Sequence, residues 1–186
     1  MLLGYIIIIF PIIAVLSLIF ISPLLIYNKI HQRRKPFIRY VVIYAFIGCC
    51  MSLCYLTILW YYPDITFHPA YHFLNLKPFV WINEVYDMGF NKMIQQLVLN
   101  IGMFVPYGLL LALAFKRLRN IYIHLPIVFL TTLFIETIQY FIGRSADIDD
   151  VIMNFLGGLI GFFIYKLMER IFRKKHWWDI LINNEK

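Results

Sequence analysis

A chain of 186 residues that is 62% hydrophobic and only 15% charged falls outside the range of soluble domains, which are nearer half apolar and a quarter charged. The apolar residues come in long blocks, the mark of an integral membrane protein. A net charge of +7 does not indicate a nucleic-acid partner, because the basic residues flank the apolar blocks, where membrane topology requires them.

Five blocks approach the roughly 20 residues that a membrane-crossing helix needs. They lie at 4–27, 38–62, 94–115, 121–142 and 150–168, so the expected fold is all-α, a polytopic bundle of five transmembrane helices. The first block lacks a basic leading region, is too long for a signal peptide and is followed by no small-residue cleavage site, so it is taken as an uncleaved span. Cys49, Cys50 and Cys54 share the second block. They fit small packing residues better than a disulfide framework or a zinc site.

The connections set the orientation. Lys29, Arg33, Arg34, Lys35 and Arg39 surround the first connection, Lys116, Arg117 and Arg119 follow the third span, and Lys166, Arg170, Arg173, Lys174, Lys175 and Lys186 mark the C-terminal end. Only Lys77, Lys92 and Arg144 are left for the opposite side. The positive-inside rule therefore predicts an outer N-terminus and an inner C-terminus. On this basis the chain divides into two N-terminal spans with a basic loop (1–62), a core made of an outer aromatic loop and three spans (63–168), and a basic aromatic tail (169–186). Tyr61, Tyr62, Phe79 and Trp81 fit an interfacial belt, and the tail is expected to rest on anionic lipid at the inner face.

Polar residues interrupt the last three spans. In the third, Gln96, Asn100 and Tyr107 share a face, and Pro106 should kink the helix. In the fourth, Thr132, Glu136, Gln139 and Gly143 form a stripe. In the fifth, Asp147, Asp150 and Asn154 lead into Gly157, Gly158 and Gly161, all within an arc of about 100° at helical spacing. Gly157 and Gly161 form a G-x-x-x-G pair that admits a close helix neighbour, and Asp149 points off this face. An ionisable residue inside a span costs about 2.5–3.5 kcal/mol on insertion scales. Three helices carrying such residues in the same half predict one shared polar cluster at the outer end. Asn and Gln can serve as interhelical glue, and Asp150 could cap its helix, but neither task needs the Glu136 carboxylate.

Within the cluster, Glu136, Asp147 and Asp150 are the candidate acid–base residues, and Asn100, Gln139, Arg144 and Asn154 the candidate ligand-binding residues. Arg144 suits a phosphate or carboxylate. No metal site is assigned. His68 and His72 have i,i+4 spacing, but Pro69 lies between them and no third ligand is near. Clustered carboxylates could instead hold Mg²⁺ and, through it, a lipid-linked pyrophosphate. No G-x-S-x-G, Walker A or H-E-x-x-H pattern is present, and no cofactor or enzymatic reaction is specified.

The motifs NLKPF, NIGMFVPYGLLL and FIETIQYFIGRSADIDDVIMNFLGGLIGF, spanning residues 73–166, resemble the VanZ-like family. The spacing of Glu136, Gln139, Arg144, Asp147, Asp150 and Asn154 is the most specific part. Asn75, Pro78, Phe79, Asn100 and Pro106 agree with it, and Lys77 departs from it. The resemblance implies a multi-pass protein of the cell membrane in Gram-positive-type cells, associated in the family's namesake with resistance to the glycopeptide teicoplanin. The expected partners are membrane lipids, an envelope precursor or lipoglycopeptide, and a membrane-protein partner, with no nucleic acid. Two other functions stay open: a structural partner without ligand chemistry, contacting through G-x-x-x-G and the tail, and a small proton-coupled transporter, for which no polar path to the inner side is visible.

Overall fold

The computed structural model describes residues 5–32, 35–59, 74–80 and 89–182, without the side chains of 5, 6, 91–93, 95 and 96. A π-helical turn at Tyr5–Ile9 leads into α1 (Phe10–Ile30), followed by α2 (Phe37–Thr57), β1 (Leu74–Asn75), α3 (Phe90–Ala114), a 3-10 turn at Lys116–Arg119, α4 (Ile121–Phe141), β2 (Ala146–Asp147), α5 (Ile148–Phe172) and α6 (His176–Ile182). Five helices are long and apolar enough to cross a membrane, as expected. Their connections alternate ends. The chain therefore has a basic end, holding residues 29–32, 35–39, 116–119 and 166–182, and an acidic end, holding residues 143–150 and the start of α3.

Helices α3 and α5 form the spine of the bundle. They pack backbone against backbone because small residues line their contact. A Cβ on Gly108 would collide with the Gly158 carbonyl, and one on Gly161 would collide with the Val105 carbonyl and the Leu109 amide. The predicted G-x-x-x-G face is thus filled by α3 of the same chain and is not left for another protein. Such contact lets dispersion and close packing hold helices together where lipid offers no hydrophobic drive. Helix α4 covers α5 from one side, with fully buried Val128 against Gly158. Helix α2 lies against α3, and α1 against α2. Pro106 sits inside α3, which continues through it from Phe90 to Ala114.

The chain after the last span is more firmly seated than its basic composition suggested. Trp178 of α6 is 0% exposed, stacked near Tyr165 and Phe172. It belongs to the same core cluster as Val42, Ala112 and Phe162. Trp177 and Lys174 face outward, so only one side of this segment is available to lipid. Arg39 holds the assembly together: it donates to the Leu113 and Ala114 carbonyls (2.8 and 2.9 Å) and to the Leu181 carbonyl (3.2 Å). Arg119 adds bonds to the carbonyls of Ala112 and Ile182. Helix C-termini leave such carbonyls without intrahelical partners, and two guanidinium groups supply the missing donors for α3 and α6.

Candidate functional site

The acidic end begins where α4 stops. Ile142 caps the helix and Gly143 follows at φ +100°, a conformation that favours glycine. The Arg144 amide then donates to the Gln139 carbonyl at 2.9 Å and the Gly143 amide to that of Tyr140, the paired bonds of a Schellman turn. The tight stop brings Ala146–Asp147 alongside the returning segment Leu74–Asn75 as a two-stranded parallel pair, with Leu74 opposite Ala146 and Asn75 opposite Asp147. Asp147 then caps α5, its carboxylate accepting the Asp149 amide at 2.8 Å, one of the donors that a helix N-terminus leaves unpaired.

This arrangement explains why the motif NLKPF matters although it lies about 70 residues away. Asn75 donates to the Asp147 carboxylate at 3.1 Å, and the Phe79 amide donates to the Asp149 carboxylate at 2.6 Å. Phe79 sits at φ +65°, a left-handed conformation costly for a residue with a Cβ; the short bond to Asp149 holds it there. Asp149 is therefore not the idle member of its segment. It is 4% exposed and clasps the loop. Rotation within α5 alone places Asp149 off the polar face, but its partner, the Phe79 amide, comes from another part of the chain. A carboxylate at the second position of the helix, together with a partner loop rich in turn residues, was the available signal.

The predicted site residues divide into two groups. Gln139 and Arg144 converge on one acceptor, the Thr57 carbonyl, at 2.8 and 3.0 Å. They fasten α4 and the turn after it to the last turn of α2. Asp147 caps α5 and holds the loop. These three residues have structural partners within the chain. Glu136, Asp150, Asn100 and Asn154 are placed differently. Glu136 is 4% exposed and accepts one bond, from the Asp147 amide at 3.3 Å. Asp150 accepts from Asn100 at 2.5 Å. Through the Asp147 amide the Glu136 carboxyl meets the capping residue of α5, three positions before Asp150. One turn deeper, Asn154 is 3% exposed, and its Oδ1 has no hydrogen-bond partner among the described residues.

Further into the bundle the carboxyl groups stop, and the polar groups there, such as Tyr107 and Thr131, bond to one another or to their own helix. Thr132 bonds to its own helix at the Phe129 carbonyl, and Val128 and Phe104 are 0% exposed. The acidic cluster is therefore confined to one half of the bundle. Among the described residues no group of three or more His, Cys, Asp or Glu side chains is arranged to hold a metal ion. Gln96, His68 and His72, and the proposed belt residues Tyr61, Tyr62 and Trp81, lie outside the described side chains.

The same turn, clasp and carboxylates fall within a stretch shared with known proteins. The VanZ/LLP1 family model matches residues 5–169. The chain belongs to the VanZ/LLP1 family. Protein VanZ of Enterococcus faecium is 35% identical over 106 residues, an alignment covering 55% of this chain and 58% of that relative. The chain thus spans less than two thirds of the relative it matches. No solved structure matches. Family membership extends over α1 and α2 as well as the clasped turn, so the two N-terminal spans, which carry no distinctive motif, belong to the same unit.

Proposed function

We propose that this VanZ-like protein is a multi-pass protein of the cell membrane, with its N-terminus outside and its C-terminus inside. Its acidic end faces outward and binds or modifies a component of the cell envelope. Through that action it contributes to glycopeptide resistance, with teicoplanin as the drug that the family resemblance names. The basic end, which carries nearly all the lysines and arginines of the chain, supports the orientation through the positive-inside rule.

The observation that carries the reading is the Glu136 carboxyl, 4% exposed within α4, whose one hydrogen bond among the described residues comes from the Asp147 amide at the head of α5, with Asp150 one turn on. Two acidic groups kept in a poorly hydrated place oppose folding unless something takes advantage of them. The structural alternative accounts for Asp147, Gln139 and Arg144, which cap and fasten. It gives no reason for the Glu136 carboxylate, whose one hydrogen bond among the described residues is long and could be accepted equally well by an amide oxygen. The transport alternative needs polar groups through the full thickness, and Val128 and Phe104 interrupt them. Glu136 and Asp150 are the groups that would exchange a proton with a bound molecule or orient its cationic part, with Asn100 and Asn154 adding hydrogen bonds and Arg144 an anion contact.

The test is resistance at matched membrane abundance. A host lacking its own family member should gain teicoplanin tolerance from the native chain, and Glu136→Gln and Asp150→Asn should each abolish that gain while inserting normally. Glu169→Gln, at the basic end beside Lys166, serves as control and should keep it. Full tolerance in both acidic-end variants would return the cluster to a purely structural role.

A further inference from the structure

Between α1, α2 and α3 the structure carries a lateral cavity of about 410 Å³, within the range of about 300–1,000 Å³ typical of ligand sites. Phe10, Ala14, Tyr44, Ala45, Leu56 and Met103 are among its lining residues, and its surface is almost wholly apolar. The few polar groups along it are already engaged. Ser17 donates to the Ile13 carbonyl at 2.7 Å and Tyr44 to the Ala14 carbonyl at 3.0 Å. An occupant is thus offered surface and shape but few hydrogen bonds.

We infer that this groove holds one acyl chain of a diacyl phospholipid whose headgroup phosphate lies by Arg144 at the acidic end; the headgroup's destination rests on the function proposed above, the chain's does not. Three observations select this occupant. The first is length. The lining runs along α2 from Tyr44 to Leu56, about 18 Å at 1.5 Å per residue. One leaflet of a hydrocarbon core roughly 30 Å thick is about 15 Å deep, so the groove fits a chain reaching from headgroup to midplane. A partner helix crossing the membrane would need about twice that length. The second is position. The groove occupies the half of the bundle that holds the acidic end, and it ends at Leu56, next to Thr57. The third is charge. The Thr57 carbonyl is the acceptor on which Arg144 and Gln139 converge, so a guanidinium stands near the mouth, complementary to a phosphate.

The experiment uses the full chain in phosphatidylcholine vesicles containing a phosphatidylglycerol with a diazirine midway along one acyl chain. After irradiation, the cross-linked residues are mapped by mass spectrometry. The expected sites are Ala45, Ser52 and Met103. Ala45→Trp and Ala14→Trp, which fill the groove from two different helices, should each lower this product roughly tenfold, the factor given by about 1.4 kcal/mol of lost binding. Leu130→Trp, on an exposed face of α4, should leave it unchanged. Thermal melting of each variant reports folding, and two independent fillers keep the test open if one of them misfolds. Cross-links spread equally over the Leu130 face, undiminished yield in a folded groove-filled variant, or groove peptides joined to a second copy of the chain would each overturn the inference. Because the readout is lipid cross-linking, failure of the acidic-end resistance test would remove the headgroup assignment and leave the groove standing, and the reverse result would remove the groove alone.

Discussion

Both ends of the bundle bury charged side chains, and they do so in opposite ways. At the basic end Arg39 reaches three carbonyls left over by α3 and α6, and Arg119 reaches two more. The charge there is matched by the partial negative charge of helix C-termini, a favourable arrangement. At the acidic end Glu136 and Asp150 are two carboxyl groups that each accept one hydrogen bond among the described residues. The first arrangement is nearly complete: both terminal nitrogens of Arg39 are engaged, and only its Nε lacks a partner among the described residues. The second leaves carboxylate capacity unused, since an ionised carboxylate can accept about four hydrogen bonds. Burial of charge therefore does not by itself mark a site; what separates the two ends is how many of the partners the chain supplies.

That comparison rests on the α3–α5 spine, and breaking the spine should produce the largest effect. Gly108→Leu puts a side chain where the Gly158 backbone lies. Overpacking in a core costs about 1–3 kcal/mol when the neighbours can shift, and here the neighbour is backbone. Loss of folded protein on extraction and melting is expected, well beyond the effect of Gly102→Leu, where a Cβ would meet nothing within 4 Å. Equal tolerance of both changes would mean that the two helices are not in backbone contact.

Arg39→Leu breaks the more complete end. It strands carbonyls of Leu113, Ala114 and Leu181, and each unpaired buried group costs about 1–3 kcal/mol. The tail segment should detach, seen as faster proteolysis beyond Phe172 and new exposure of Trp178 to a soluble fluorescence quencher. Arg39→Lys should rescue only partly, because an ammonium lacks the planar fork that spans several acceptors. An unchanged Trp178 signal in Arg39→Leu would show that aromatic packing alone seats the tail.

Asp149→Ala should act locally. It removes the acceptor of the Phe79 amide and releases a left-handed backbone, with an expected cost of about 1–3 kcal/mol confined to the clasp. Hydrogen exchange at residues 74–80 should quicken while α3 and α5 stay protected. Because the clasp positions Asp147 beside Glu136, resistance should fall in part. If exchange in the loop is unaltered, the Phe79 contact is not what holds it.

The contrast between ends also explains what could be foreseen from the sequence. Five spans follow from apolar length, and the boundaries at α4 agree almost residue for residue with the block at 121–142. The second apolar block runs on to 62, yet α2 ends at Thr57, whose carbonyl is taken by Gln139 and Arg144; hydropathy does not register a distant side-chain partner. Helical spacing and depth pointed Glu136 toward the head of α5, where it accepts the Asp147 amide. The tasks of Arg144, Gln139 and Asp149 were not legible, because their partners are Thr57 and Phe79, in elements whose positions no periodicity within α4 or α5 encodes. Arg39 was counted only as a topological charge for the same reason.

The smallest expected effect is also the one that most sharpens the comparison. Asn154 is buried with Oδ1 unpartnered among the described residues, one turn below Asp150. Interhelical polar contacts in membranes average about 0.6 kcal/mol, and replacing a buried polar group without a partner by an apolar one of similar volume is close to neutral or stabilising. Asn154→Leu should therefore change the melting midpoint little, or raise it. If the acidic end is kept incomplete for a bound molecule, the same variant should nevertheless lose resistance at matched abundance, because the free oxygen faces what the molecule would bring. The two readouts then move apart, stability holding while function falls. At the basic end no such separation is expected: Arg39→Leu should lower both together, since that charge serves the fold. Were Asn154→Leu to melt early and lose function in proportion, Asn154 would be interhelical glue, and the difference between the two ends would be one of degree.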